Sequence, residues 1–329
     1  MKYLVTGITG FAGPHLAMLL LKEGHEVHGI VRTANGREQD LLDIMTIEEL
    51  SSIKFHYLDL KHYYGVKKLI DAEKFDGIFH LAAQSHPPTS FADPILTWNE
   101  NVMGTVNLIT AIQGSTTRFM FCSTSEVYGD VGKDIGLLKV TSPIKPNNPY
   151  GTSKAAMDLY VQERSNNGFI DGFVTRAFSH TGPRRGKIFS ISSDAYQIAL
   201  MEIGEQEKIL KIGNLETQRV LMDVKDCVNA YYLLMKNPAS NKHVYNVCGN
   251  DVKKMQFYTD LLIKFSNFKY DDIKQMIYEP FYRPIDIQVQ IGDSTELKEL
   301  TGWEPIISIS DTIKGLLEYW RKKISLTQK

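Results

Sequence analysis

The spacing Gly7-Ile-Thr-Gly10-Phe-Ala-Gly13 constrains this chain more than any other feature. It follows a short apolar run, KYLVT, and leads straight into PHLAMLLLKEG, whose pattern suits a helix. Glycines between a strand and a helix allow a tight turn and a close approach of backbone to a ligand, and the helix N-terminus offers N–H groups to an anion. Pro14 suits the first helical position, where no backbone donor is needed. A plain strand–helix turn also uses glycine, so the context decides. EVHGIV, IKFHYLD, GIFHLAA and RFMFCST follow as short apolar runs of strand length. Between them EQDLLDIMTIEEL, GVKKLIDAE and the stretch around PILTWNENVMGTVNLITAI read as helices. This alternation predicts an α/β fold of the Rossmann type, a doubly wound parallel sheet with helices on both faces, holding a dinucleotide at the glycine turn.

PYGTSKAAMDLYVQERSNNG predicts a further helix and FVTRA a further strand, after which the texture changes. SHTGPRRGK is loop-like, ISSDAYQIALMEIG and DVKDCVNAYYLLMKN are helical, and HVYNVCG reads as a strand returning to the sheet. The rest (MQFYTDLLIKF, STELKELTG, SDTIKGLLEYWRKK) is mostly helical. The expected division is a dinucleotide-binding domain over 1–177 with returning segments at about 215–248, and a smaller, mostly helical substrate-binding lobe over 178–214 and 249–329. With 329 residues and a formal net charge of −1, the chain shows no basic excess that would favour nucleic acid. No segment reaches the roughly 18 apolar residues of a membrane span, and the start, MKYLVTGITG, is too short in its apolar run for a signal peptide. Three cysteines, Cys122, Cys227 and Cys248, lie in apolar segments without metal spacing, which predicts buried free thiols in a reducing, cytoplasmic setting. No metal ligand set is expected, and His80, His86 and His180 lack partners at ligand spacing.

Two further signals carry chemistry. The second strand ends in Val31-Arg32, not in the acid that would accept from a ribose 2′-hydroxyl, so NADP is the expected cofactor and NAD the alternative. Asp59, closing the third strand, either reads adenine or caps the segment after it. Tyr150 and Lys154 stand four residues apart and so share a helix face, where the ammonium is expected to favour the phenolate for proton transfer.

TGITGFAG, HLAAQSH, STSEVYG, PYGTSK and TGWEP, in this order, resemble the motifs of the extended short-chain dehydrogenase/reductase family along essentially the whole chain. Within it, PRRG (Pro183–Gly186) looks like the GDP-mannose 4,6-dehydratases, whereas IGNLETQR, DVKD, VYNVCG and the shorter length look like the GDP-4-keto-6-deoxy-mannose reductases. The resemblance implies a cofactor site of Gly7, Thr9, Gly10, Phe11, Gly13, Arg32, Asp59, Leu60, Leu81, Ala82, Ala83, Tyr150 and Lys154. It implies that Tyr150 exchanges the proton of the sugar 4-hydroxyl, that Lys154 holds the nicotinamide ribose, that Thr124 bonds the 4-oxygen, and that Glu126 removes the C5 proton as water leaves C6. Ser85, Ser125, Glu126, Ser179, Arg184, Arg219 and Arg283 would meet the GDP-sugar, with the PRRG loop reaching a neighbouring subunit's cofactor site. A homodimer, or a homotetramer through that loop, follows from the pairing of helices at 92–113 and 150–167 in such enzymes. Bland uses compete at each position: Thr124 as a cap and the arginines as solvated surface charge.

The chain departs from the family in carrying Ser179 in FSH where Asn is usual, and Val220 after Arg219 where Asp is usual. Both lie on the sugar-nucleotide side. The readings to be separated are a 4,6-dehydratase for GDP-mannose or a related GDP-sugar such as a GDP-heptose, an NADPH-dependent 4-keto-6-deoxy-sugar reductase, and a non-catalytic dinucleotide-binding protein, which would have no need of Thr124, Tyr150 and Lys154 together.

Overall fold

The computed structural model describes residues 1–282 and 284–327. Seven strands form one fully parallel sheet: β1 (Lys2–Thr6), β2 (Glu26–Val31), β3 (Ile53–Tyr57), β4 (Gly77–His80), β5 (Arg118–Thr124), β6 (Asp171–Ala177) and β7 (Val244–Val247). Their spatial order is β7-β6-β5-β4-β1-β2-β3, so the winding reverses at β1, which pairs with both β2 and β4. Ligands of such sheets sit beyond the strand ends at this reversal. The glycine turn leaves β1 there.

Each face of the sheet is covered. Leu16, Leu20, Tyr231 and Leu234, from helices Ala12–Lys22 and Val224–Lys236, pack with Val5 and Phe79 on one side. Val66, Leu108 and Val161 pack with Leu4, Ile78 and Phe121 on the other. The returning segment divides in two: Val224–Lys236 and β7 join the large domain, whereas Gln218–Val220 joins a four-stranded sheet with Val252–Lys254, Val289–Gly292 and Leu137–Leu138. These strands have two to four residues, too few for a periodic pattern, and the mostly helical reading of the second lobe passed over them. Helices Ser190–Glu202, Met255–Phe265 and Ile309–Thr327 build that lobe's own core around Ala195, Leu262, Leu316 and Trp320.

The stretch expected as one helix from EQDLLDIMTIEEL is instead a 3-10 turn, Gln39–Asp43, and a short helix, Ile47–Ser51, started by a Thr46–Glu49 capping box. The long helical stretch near residue 100 contains a π-helical segment, Asn99–Met103, between Pro94–Trp98 and Gly104–Ile112. All three cysteines are free; Cys227 and Cys248 are buried and Cys122 half-buried. Among the described residues no helix is long and apolar enough to cross a membrane.

One buried network ties the large domain together. Arg176 of β6 donates through Nε and Nη2 to the two oxygens of Asp158 at 2.9 and 3.0 Å, and through Nη1 to the Tyr128 hydroxyl and the Val140 carbonyl, both at 2.9 Å. Tyr128 in turn donates to Asn246 of β7 at 2.7 Å. Helix Pro149–Asn166, the turn after β5 and two strands are thereby fixed by one guanidinium. Arginine suits this because its planar fork satisfies a carboxylate in parallel.

The second lobe holds a lone buried acid. Asp194 is enclosed and accepts from the Thr259 hydroxyl at 2.8 Å, and burial pushes its carboxyl up to about 7 from 3.8. The native state therefore keeps this proton while the unfolded chain loses it, so stability falls as pH rises from about 4 to about 7 and stays lower above. Asp194→Asn, which can still accept from Thr259, should raise the unfolding temperature at pH 8 and much less at pH 5, with a gain on the order of 2 kcal/mol at the higher pH. Equal gains at both pH values would remove Asp194 as the cause.

Candidate active site

The glycine turn accepts only glycine at two positions. A Cβ at Gly7, whose φ is +73°, would stand 2.8 Å from the Ala82 nitrogen, and one at Gly13 would stand 2.3 Å from the Gly7 carbonyl. Gly10 N–H closes the turn onto Gly7 O at 2.9 Å. Beyond it opens a cleft of about 330 Å³ lined by Gly7, Gly10, Phe11, Gly13, Leu81, Ala82, Ala83, Ser85, Thr124, Ser125, Glu126, Tyr150, Lys154, Ser179 and Arg219, among others. The Ser123 and Thr181 hydroxyls also face this cleft, buried and without a hydrogen-bond partner. A bare backbone cradle at a helix N-terminus together with orphaned hydroxyls fits a dinucleotide.

Thr124, the last residue of β5, and the helix Pro149–Asn166 bring the reacting groups together. The Tyr150 hydroxyl is hydrogen-bonded to Thr124, which also accepts from Glu126 N–H at 3.3 Å. Thr124 is thus a turn cap and a partner of the phenol at once. Tyr150 and Lys154 are both enclosed, and this corrects the expectation of an acidified phenol. Burial raises Tyr150 well above its ordinary value, opposed by the Thr124 hydrogen bond and the charge of Arg185. Burial likewise lowers Lys154 to about 8, with its ammonium 4.2 Å above the Phe121 ring. Desolvation penalises either charge more than the neighbouring groups relieve it.

Glu126 accepts from Asn148 Nδ2 at 2.7 Å. Asn148 is also the N-cap of helix Pro149–Asn166, its Oδ1 accepting from Gly151 N–H at 2.7 Å. One amide therefore spans the carboxylate and the helix bearing Tyr150 and Lys154. Gly151 is needed beneath it, since a Cβ there would lie 2.8 Å from the Glu126 carbonyl.

Other expected site residues are turned elsewhere. Arg32 pairs with Glu100 at 2.8 Å, and Glu100 also takes Lys61 at 2.7 Å. Asp59 accepts from Lys61 N–H at 2.9 Å, its turn-capping use. Leu60 abuts Gly104, with its carbonyl accepting from Asn107. Arg184, in the left-handed region at φ +71°, folds back within its own chain onto the Thr9 and Asp40 carbonyls and lies 3.5 Å from Asp43. Its neighbour Arg185 occupies the cleft instead, between the rings of Phe11 and Phe189 at 4.8 and 3.5 Å. Arg219 lines the cleft with Nη2 donating to the Ile287 carbonyl at 2.6 Å. Arg283 lies outside the described residues.

The histidines have structural partners. His80 bridges the Thr6 and Thr105 hydroxyls, held neutral by burial, which lowers it to about 3. His86 meets the Thr89 hydroxyl at 2.8 Å, and His180 stacks on Phe11. One cluster away from the cleft, His28, His56 and Glu73, has ligand atoms within 4.8 Å of one another. Lys2 already neutralises Glu73, and Glu26, which holds His28, is paired with Lys54.

The sequence profile of the GDP-mannose 4,6 dehydratase family matches residues 4–316, nearly the full chain. The chain belongs to this family. Similar proteins include the GDP-mannose 4,6 dehydratase of Homo sapiens, 29% identical over 95% of this chain and 90% of that protein, and the GDP-6-deoxy-D-mannose reductase of Pseudomonas aeruginosa, 29% identical over 98% of each. Among solved structures, RMD from Pseudomonas aeruginosa complexed with NADPH superposes with a TM-score of 0.81 at 27% identity, covering 98% of this chain and 99% of that one. A dTDP-glucose 4,6-dehydratase from Bacillus anthracis, at 21% identity and a TM-score of 0.84 over 99% of this chain and 98% of that one, shares the fold.

Within this GDP-mannose 4,6 dehydratase family chain, sequence reading took Arg185 with Arg184 and Arg219 as candidates for the GDP phosphates, but missed Asn148, which holds Glu126, and the cleft residues Phe189, Tyr231 and Gln290. A capping Asn before Pro-Tyr was the one available signal for Asn148. Asn148→Ala should lower stability by about 1–2 kcal/mol through loss of the cap, read by denaturant unfolding. Asn148→Ser should recover most of it, since serine caps equally well but is too short to hold Glu126. A serine variant no more stable than the alanine one would show that the cap is not what Asn148 contributes.

Proposed function

We propose that the protein is an NADP-dependent 4,6-dehydratase acting on GDP-mannose or a related GDP-sugar. The observation that carries this is the convergence of Thr124, Tyr150, Lys154 and an amide-held Glu126 on one cleft beside the glycine cradle. Family membership supports the GDP-sugar.

The cradle of Gly7, Gly10 and Gly13 would take the pyrophosphate. Arg32, itself exposed although its partner Glu100 is largely buried, would turn to a 2′-phosphate. The nicotinamide, when bound, supplies reversible hydride transfer. The chain's own residues do the rest. Tyr150, once ionised with bound cofactor and the Lys154 ammonium beside it, takes the proton of the sugar 4-hydroxyl, and Thr124, its neighbour, orients that oxygen. Lys154 adds a nearby positive charge that grows more useful as the phenol ionises, and its value of about 8 keeps the ammonium mostly protonated at neutral pH. A C4 ketone acidifies the C5 proton; Glu126 accepts it and passes it to the C6 hydroxyl, which leaves as water, and the proton that Tyr150 took from the 4-hydroxyl goes to C5 as C6 is reduced. The redox change at C4 is returned at C6, so the overall reaction needs no external reductant. Arg185 and Arg219 would meet the diphosphate.

The subunits are proposed to form a homodimer. Ile95, Leu96, Trp98 and Met103 on the helical stretch Pro94–Ile112, and Leu159 on Pro149–Asn166, are exposed apolar residues on adjacent elements. The three free thiols suit a cytoplasmic setting.

A second reading, an NADPH-dependent 4-keto-6-deoxy-sugar reductase, is favoured by the likeness to the Pseudomonas aeruginosa reductase over 98% of both chains. Incubation of GDP-mannose with substoichiometric NADP separates them: a product lighter by one water supports the dehydratase, whereas consumption of NADPH only with a 4-keto-6-deoxy sugar supports the reductase. Glu126→Gln should reduce elimination by at least 10²-fold and leave NADP affinity unchanged. Full dehydration by that variant would take Glu126 out of the mechanism.

A further inference from the structure

Among the described residues, Gln290 is a cleft-lining amide left without use for its Nε2. It lies on the strand Val289–Gly292, is 3% exposed, lines the cleft, and its Nε2 has no hydrogen-bond partner. The strand pairs in parallel with Gln218–Val220, in a register that sets Gln290 opposite Arg219. Two residues on, Gly292 has no side chain because the ring of Phe178, itself a lining residue, would lie 2.4 Å from a Cβ there. Gln290 is therefore held beside Phe178 and Arg219, on the opposite lobe from the glycine cradle. A buried amide N–H without an acceptor destabilises the free protein, and each such group in a native structure calls for an explanation, among them a functional role.

We infer that Gln290 donates from Nε2 to an oxygen of the sugar–diphosphate portion of the substrate and helps set which nucleotide sugar is accepted. This rests on the GDP-sugar reading and deepens it. Arg219 alone attracts any diphosphate. A neutral amide in a fixed place adds a directional demand for an acceptor oxygen, and ligands lacking one there would leave the amide unpaired. The dinucleotide, bound across the cleft at the glycine turn, would not touch it.

The test is calorimetric titration of the full-length protein and of Gln290→Met, which has similar length but no donor, with GDP-mannose, GDP and NADP in turn. GDP-mannose should bind the variant about tenfold more weakly, with NADP unchanged. An equal loss for GDP assigns the acceptor to the diphosphate; a loss confined to GDP-mannose assigns it to a sugar hydroxyl. The ligand-free variant should melt about 2 °C or more above the parent, because an orphaned donor is removed. Gln290→Glu, of the same shape but an acceptor only, should bind GDP-mannose more weakly still. Unchanged GDP-mannose affinity in both variants, or an equal weakening of NADP, overturns the inference. Failure of the underlying reading looks different: the unmodified protein would then bind UDP-glucose and not GDP-mannose, and the same comparison run with UDP-glucose would still decide the role of Gln290.

Discussion

The buried fork between Arg176 and Asp158 is the interaction on which the rest of this site depends. A charge pair in the interior contributes little unless every remaining donor is satisfied. Here the guanidinium also serves Tyr128 and the Val140 carbonyl, so four of its five N–H donors have acceptors and most of the cost of burying it is offset. The arrangement fixes the distance between the turn after β5 and the helix Pro149–Asn166. Thr124 and Glu126 ride on the first, Tyr150 and Lys154 on the second. A solvated pair would have let these two elements slide, since neither is covalently near the other.

The environment that results is dry, and its dryness shapes the chemistry. Enclosure opposes charge on both Tyr150 and Lys154, raising the proton affinity of the phenol and lowering that of the amine, so the two move apart. A neutral phenol beside a lysine near 8 therefore keeps its proton until a ligand brings in polar groups that replace what burial has removed. Glu126 accepts from the Asn148 amide, and its charge bears on the Tyr150 phenol beside it.

What could be read from the sequence was local. The glycine turn and the four-residue spacing of Tyr150 and Lys154 depend on neighbours within one turn of chain, and the structure places these residues as that spacing requires. The alternating large sheet was legible because its strands reach four to seven residues. Non-local features were not. Asn148 meets Glu126 across 22 residues, and Gln290 reaches the cleft through strand pairing with a segment some 70 positions earlier. The two arginines of PRRG look alike in sequence, yet Arg184, with a left-handed backbone, turns its side chain onto the Thr9 and Asp40 carbonyls and leaves its neighbour in the cleft.

Asn148 joins the first turn of a helix to the carboxylate beside it. Terminal turns are where helices open first on warming. Were this turn to open, Glu126 would lose its amide partner while the rest of the fold stood, so the placing of that carboxylate hangs on a single side chain.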